Sequence, residues 1–199
     1  ACRLHTSDGN VTLTGLTGDQ ECKTSDGDIH MDKVTGDVNA GTLDGNIQLS
    51  MIKGAVTLKT SDGNIRLEKI MGDVDSGTSD GDIDLTGVSG NAQAKTSDGN
   101  ISFREISGSL TAVTSDGSVK GNVIELKTQL TIRTSDGNIN VTIPDKLGLD
   151  LDIRGESLDV PLTNFTGQSE EKSIRGKLNG GGIAVNLHTS SGNVTLNQL

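Results

Sequence analysis

A period of 18 residues constrains this chain more than any other feature it carries. The tetrapeptide Thr-Ser-Asp-Gly begins at Thr6, Thr24, Thr60, Thr78, Thr96, Thr114 and Thr134. Thr42-Leu43-Asp44-Gly45 fills the gap in the series, and Thr189-Ser190-Ser191-Gly192 is a late, degraded copy. From Thr6 to Thr114 every step is 18 residues, and the step to Thr134 is 20. A fixed period in this range marks a repeat architecture, in which each unit buries its apolar side only against its neighbours.

With Thr as position 1, the copies align in columns. Position 4 is always Gly. Positions 6, 8 and 11 are apolar, as in Ile65, Leu67 and Ile70, and Ile124 falls at position 11 of its copy. Position 13 is Gly from Gly18 to Gly108, and positions 15 and 17 are apolar or small, as in Val56 and Leu58. This is the alternation of a strand, not the 3.6-residue spacing of a helix. Each copy therefore predicts two short strands and two tight turns. In the Asp-Gly turn, Gly is expected at positive φ and the Asp carboxylate is expected to bond backbone within its own turn. Gly at position 13 makes the other turn. Identical residues at identical positions favour in-register parallel stacking over a meander of Asp-Gly hairpins, the rival arrangement. The chain is thus expected to be an all-β, single-domain parallel β-solenoid of 18-residue coils, with two facing sheets. Thr at position 1 would form an inward ladder, and Asn or Asp at position 5 a second one.

The 199 residues read as one elongated domain. Apolar content is 31%, Gly numbers 27, and Phe103 and Phe165 are the only aromatic residues. A narrow core of aliphatic residues and Thr accounts for all three. No run approaches the ~18 apolar residues of a membrane helix. Ala1 enters part-way through a coil, which suggests a processed protein or an excised segment. Regular coils extend over about residues 6–143, with a looser copy from Thr114 in which Gly121 replaces the large residue at position 8. Residues 144–188 read as coils with longer turns. They include a strand at Leu158-Asp159-Val160 and a polar, mobile loop from Thr163 to Ser173. Residues 189–199 form a final coil without a cap. Its open edge invites either cover from residues 144–199 or end-to-end self-association through the terminal strand. Cys2 and Cys22 lie about one coil apart but two columns out of step. A disulfide would then need a shifted first coil, and two buried free thiols is the alternative.

The main candidate chemistry is a file of aspartates at position 3: Asp8, Asp26, Asp44, Asp62, Asp80, Asp98, Asp116 and Asp136. Carboxylates ~4.8 Å apart repel, by ~0.9 kcal/mol in bulk water. Local turn bonding would offset this. The alternative is a calcium-stabilised β-roll, which the 18-residue coil permits but for which the second glycine-rich element is missing. A polysaccharide-active β-helix enzyme is the third reading. It lacks a convergent acid pair, and position 7 (Thr12, His30, Gln48, Arg66, Asp84, Ser102, Lys120, Asn140) is a mixed solvated face. His5, His30 and His188 are dispersed in the stack, with His5 and His188 read as surface decoration. Net charge −10 argues against nucleic acid and anionic membranes. The absence of Trp and Tyr argues against stacking on sugars or bases. An ice-binding face would need an outward Thr array, and this one points inward.

The pattern Thr-Ser-Asp-Gly-Asn/Asp-Ile-x-Leu-x-x-Val/Ile-x-Gly-Asp-Val over residues 24–113 resembles a bacterial family labelled adhesins, a domain of unknown function. Ile183 to Leu196, with Thr189-Ser190-Ser191-Gly192-Asn193-Val194, shares the resemblance. It implies a β-solenoid in extracytoplasmic or envelope-associated proteins and brings no catalytic residues. The expected role is a non-catalytic structural or adhesion-like module that needs no cofactor. Its partner would be a protein or glycan at a cell surface.

Overall fold

A computed structural model describes residues 1–199 as twenty β-strands and no helix. Each regular coil contributes one long strand and one short one. The long strands, such as β4 (Ile29–Thr35), β6 (Ile47–Lys53), β8 (Ile65–Met71) and β10 (Ile83–Ser89), cover positions 6 to 12. The short strands, such as β5 (Val38–Gly41), β7 (Val56–Lys59), β9 (Val74–Gly77) and β11 (Ala92–Lys95), cover positions 15 to 18. Every one of these pairs in parallel with its equivalent 18 residues away: Ile29 with Ile47, Ile47 with Ile65, Val38 with Val56. The antiparallel rival is excluded for these copies. Positions 6, 8, 11, 15 and 17 meet between the two sheets in one core of 43 residues, and position 1 threonines are buried beside them. At about 25 cal/mol per Å² of apolar surface removed from water, this strip supplies the main drive to stack.

The two turns work differently from the sequence expectation. The Gly of Thr-Ser-Asp-Gly is not at positive φ. It is required because coils approach there backbone to backbone: a Cβ on Gly45, Gly63, Gly81 or Gly99 would overlap the carbonyl of the Gly one rung below. Positive φ belongs to the position 13 glycines, Gly36 at 138° and Gly72 at 157°, which meet the same crowding. It also belongs to position 10, where Lys33, Met51, Lys69 and Glu105 are left-handed at 53–57°. Those residues drop out of the strand pairing and let position 11 turn into the core. Only Gly15 and Gly87, at the same position, hinted at this in the sequence.

Ile124 is also corrected. In the looser copy, β13 (Val119–Arg133) pairs Val123 with Ile106 of β12 (Ile101–Val113), so Val123 is buried and Ile124 is 52% exposed. Gly121 lies over Phe103, whose ring occupies the space a side chain at 121 would need. One large residue and one absent side chain thus fill position 8 across two rungs.

Beyond residue 143 chain order and stacking order part. The last coil, β19 (Ile183–His188) and β20 (Asn193–Gln198), lies directly on β13 and β14 (Ile139–Ile143). The preceding coil, β15 (Leu149–Arg154) and β16 (Ser157–Asp159), lies on top of that last coil. The terminal strand read as an open edge is therefore inside the stack, with β16 on the outer side of its first half. The segment read as a mobile polar loop is instead an antiparallel hairpin, β17 (Phe165–Glu170) and β18 (Ser173–Leu178), turning at Glu171-Lys172. β18 pairs antiparallel with β15 and caps the short-strand sheet. At the opposite end, β1 (Cys2–His5) pairs in parallel with β3 (Gln20–Lys23) in the register that sets Cys2 against Gln20 and Leu4 against Cys22. The cysteines stay two columns apart and both are free thiols; Cys22 is buried as expected, but Cys2, on the end strand with no rung beyond it, is only partly so.

Candidate functional site

The files of like residues are the features a function would have to use. The threonine file is structural. Thr60 Oγ1 shares its one proton between the carbonyls of Leu43 (3.1 Å) and Gly45 (3.0 Å) on the rung below, and accepts from its own Gly63 N–H at 3.3 Å. Thr42, Thr96 and Thr114 repeat this arrangement. Thr189 bonds Gly137, 52 residues away in the chain, at 2.8 Å. A single buried hydroxyl thus ties two main chains and closes its own turn, at roughly 0.5–1.5 kcal/mol for each bond.

Position 5 forms a second continuous ladder. Each side-chain oxygen accepts the backbone N–H of the next rung: Asp28 on Asn10 (2.9 Å), Asn46 on Asp28 (2.7 Å), Asn64 on Asn46 (2.9 Å), Asp82 on Asn64 (2.8 Å). It continues through Asn100 and Ser118 to Asn138, and Asn193 donates to Asn138 Oδ1 at 2.9 Å. Asp19, Asp37 and Asp73 do the same at the opposite turn, accepting from Asp37, Ala55 and Asn91.

The aspartates at position 3 behave otherwise. Asp8, Asp26, Asp44, Asp62, Asp80, Asp98, Asp116 and Asp136 are exposed, one per rung along one edge. They do not bond within their turns as expected, because Thr at position 1 already holds the turn. No three His, Cys, Asp or Glu side chains converge as a metal-binding group. Files of parallel carboxylates keep each acid in its own plane, one rung from the next.

Elsewhere the charged groups form short local pairs. Glu21 lies 2.7 Å from Arg3 and 3.2 Å from Lys23, and the hydrogen bond from Lys23 with the field of Arg3 holds its carboxyl below the usual range. The Ser50 hydroxyl, 2.6 Å from Asp32, lowers that carboxyl, and the Ser107 hydroxyl lowers Glu125. Burial pushes the Cys22 thiol up to about 11, so it stays protonated and inert.

One cluster was not visible in the sequence. Asp152 Oδ1 lies 3.4 Å from Arg154 Nε, 3.3 Å from Arg175 Nε and 3.4 Å from His188 Nε2. His188 is not surface decoration: its side chain is 27% exposed and its Nε2 is buried, at an angle that makes no hydrogen bond. These residues come from β15, β18 and β19, and only the out-of-order stacking brings them together. His5 and His30 are far from it along the stack.

A family model described as Toastrack DUF4097 matches residues 1–72 and again residues 54–197. Matching twice with an overlap is what a periodic chain allows, since one set of coils aligns in more than one phase. No curated protein and no solved structure matches the chain.

Proposed function

The chain belongs to the Toastrack DUF4097 family, a domain of unknown function, and on that premise we propose that it is a non-catalytic display or adhesion-like module of a bacterial cell envelope, working outside the cytoplasm. The observation that carries this is the unbroken position 5 ladder from Asn10 to Asn193. Side chains that would otherwise be free to vary are spent on rung-to-rung bonds, so the column is stiff and its remaining outward rows are available as a surface. Stiff repeat columns present extended faces to partners rather than closed pockets. The partner is a protein or a glycan at that surface. The free edges of β1 at one end and β17 at the other offer a route to end-to-end association, in place of the terminal strand.

The test is retention of the purified chain on isolated bacterial envelopes, with a parallel assay for release of reducing ends from polysaccharides. Saturable retention without release is expected. Absence of retention, or turnover of any polysaccharide, would replace this reading.

A further inference from the structure

One outward row of the short-strand sheet is basic in a chain of net charge −10. Position 18 follows the buried position 17 and so faces solvent. Read along the stack, this row is His5, Lys23, Gly41, Lys59, Gly77, Lys95, Val113, Arg133, His188, Arg154. A permanent cation stands on every second rung, five in all, ~9.6 Å apart over ~38 Å. The alternation holds only because the last coil is inserted. If coils stacked in chain order, Arg133 would lie next to Arg154 and the phase would break.

Packing does not impose this alternation. Gly41 and Gly77 are not at positive φ, and a Cβ on either would meet nothing closer than a carbonyl at 3.4 Å and 3.8 Å. Both sites would accept a side chain, unlike the crowded Gly63. Lys59, Lys95 and Arg133 are exposed and make no ion pair. The adjoining row holds three carboxylates: Glu21 pairs with Arg3 and with Lys23 at one end of the basic row, Asp152 pairs with Arg175 and with Arg154 at the other end, and Asp75 accepts from Gln93 Nε2 at 2.9 Å, which leaves the three middle cations unpaired. The rest of that row, including Thr57, Thr111, Thr131 and Asn186, supplies hydroxyl and amide groups.

We infer that this row binds a single extended anionic polysaccharide laid along the solenoid axis, with an acidic group recurring once per disaccharide. This rests on the adhesion-like reading and names its ligand class. Cations at a two-rung pitch suit an acid on alternate sugars, and the Thr and Asn row beside them suits sugar hydroxyls. The width excludes a broader polyanion. Asp62 and its file lie three residues beyond Lys59, ~10 Å away, and Asp19, Asp37 and Asp73 line the opposite turn. A duplex would overlap both acidic borders, and neither phenylalanine of the chain lies in this row to stack on the bases of a single strand.

The test compares the full chain with two variants of equal charge change. One is Lys59→Glu/Lys95→Glu/Arg133→Glu in the row. The other is Lys33→Glu/Lys53→Glu/Lys69→Glu at the corner of the opposite sheet. Melting curves establish that both are folded. Binding is measured to hyaluronan oligosaccharides, with heparin as the sulfated arm and dextran and a single-stranded oligonucleotide as controls. The wild-type chain is expected to bind hyaluronan and not dextran, and binding of heparin alone would contradict the spacing of one acid per disaccharide. The row variant should lose on the order of 100-fold and the corner variant little, with binding weakened by salt. No binding to either acidic glycan, equal loss in both variants, or equally tight binding of the oligonucleotide overturns the inference. A row variant still retained by envelopes overturns it while leaving the module reading intact. Hyaluronan binding without envelope retention does the reverse.

Discussion

The coils up to residue 143 and the coils after it are built from the same columns but assembled by different rules. In the first region each rung lies on the one that precedes it in the chain. In the second, the last coil is inserted between its two predecessors. The difference shows that column chemistry, not chain order, decides what stacks on what. Residues 183–198 carry Thr189, Gly192 and Asn193, which complete the threonine, glycine and position 5 files on residues 134–138. The coil at 149–159 carries Gly155-Glu156-Ser157 at that turn, with no threonine. It could not bond residues 134–138 in the same way, and it takes the outer place.

Removing the inserted coil should break the comparison most severely. A chain ending at Gly182 loses the layer on which β15 and β16 rest, so backbone protection from hydrogen exchange over residues 149–178 should vanish. Residues 24–113 should keep theirs. Retained protection at 149–178 would mean that this coil stacks directly on β14.

Next come the glycines that touch backbone to backbone. Gly63→Ala and Gly192→Ala should each cost ~3–5 kcal/mol in denaturant unfolding, while Gly77→Ala should cost under ~1 kcal/mol. A harmless Gly192→Ala would remove the last coil from the glycine file.

The first coil differs from later ones in holding a thiol, Cys22, in its core. Cys22 titrates at about 11 folded against a reference of 9.0, so its contribution is complete below pH 9 and is lost as pH rises through 11. Relative to Cys22→Ala, the wild type should lose about 2 kcal/mol across that window. Equal pH dependence of the two proteins would show that the thiol is wetted. The smallest effects sharpen the comparison. Thr60→Val and Thr189→Val should each cost ~1–2 kcal/mol, and similarity between them would indicate that both regions use the same ladder.

The parallel solenoid, its register and its inward and outward positions were legible from periodicity, because an in-register stack repeats every environment at the repeat length. What was hidden depended on contacts between non-equivalent rungs. The position 4 glycine looked like a positive-φ turn residue because sequence cannot separate a conformational need from a steric one. Lys33, Met51 and Lys69 gave no warning of left-handed backbone because tertiary packing overrides their preference. Val123 took the core place of Ile124 because the looser copy lacks that left-handed corner. The segment at 163–173 looked like a loop because β17 is exposed along nearly its whole length, so no apolar alternation marks it. The Asp152 cluster needed three non-adjacent strands and was out of reach.

The order of the last rungs can be read directly by cysteine crosslinking in a Cys2→Ser background. Asn193 stacks on Asn138 on one side and pairs with Ser157 on the other. The pair Asn138→Cys with Asn193→Cys should oxidise readily to an intramolecular disulfide, since adjacent rungs bring Cα atoms within about 4.4–6.8 Å. The pair Asn138→Cys with Ser157→Cys, two rungs apart, should not. Oxidation of the second pair and not the first would show the coils stacked in chain order and contradict the account.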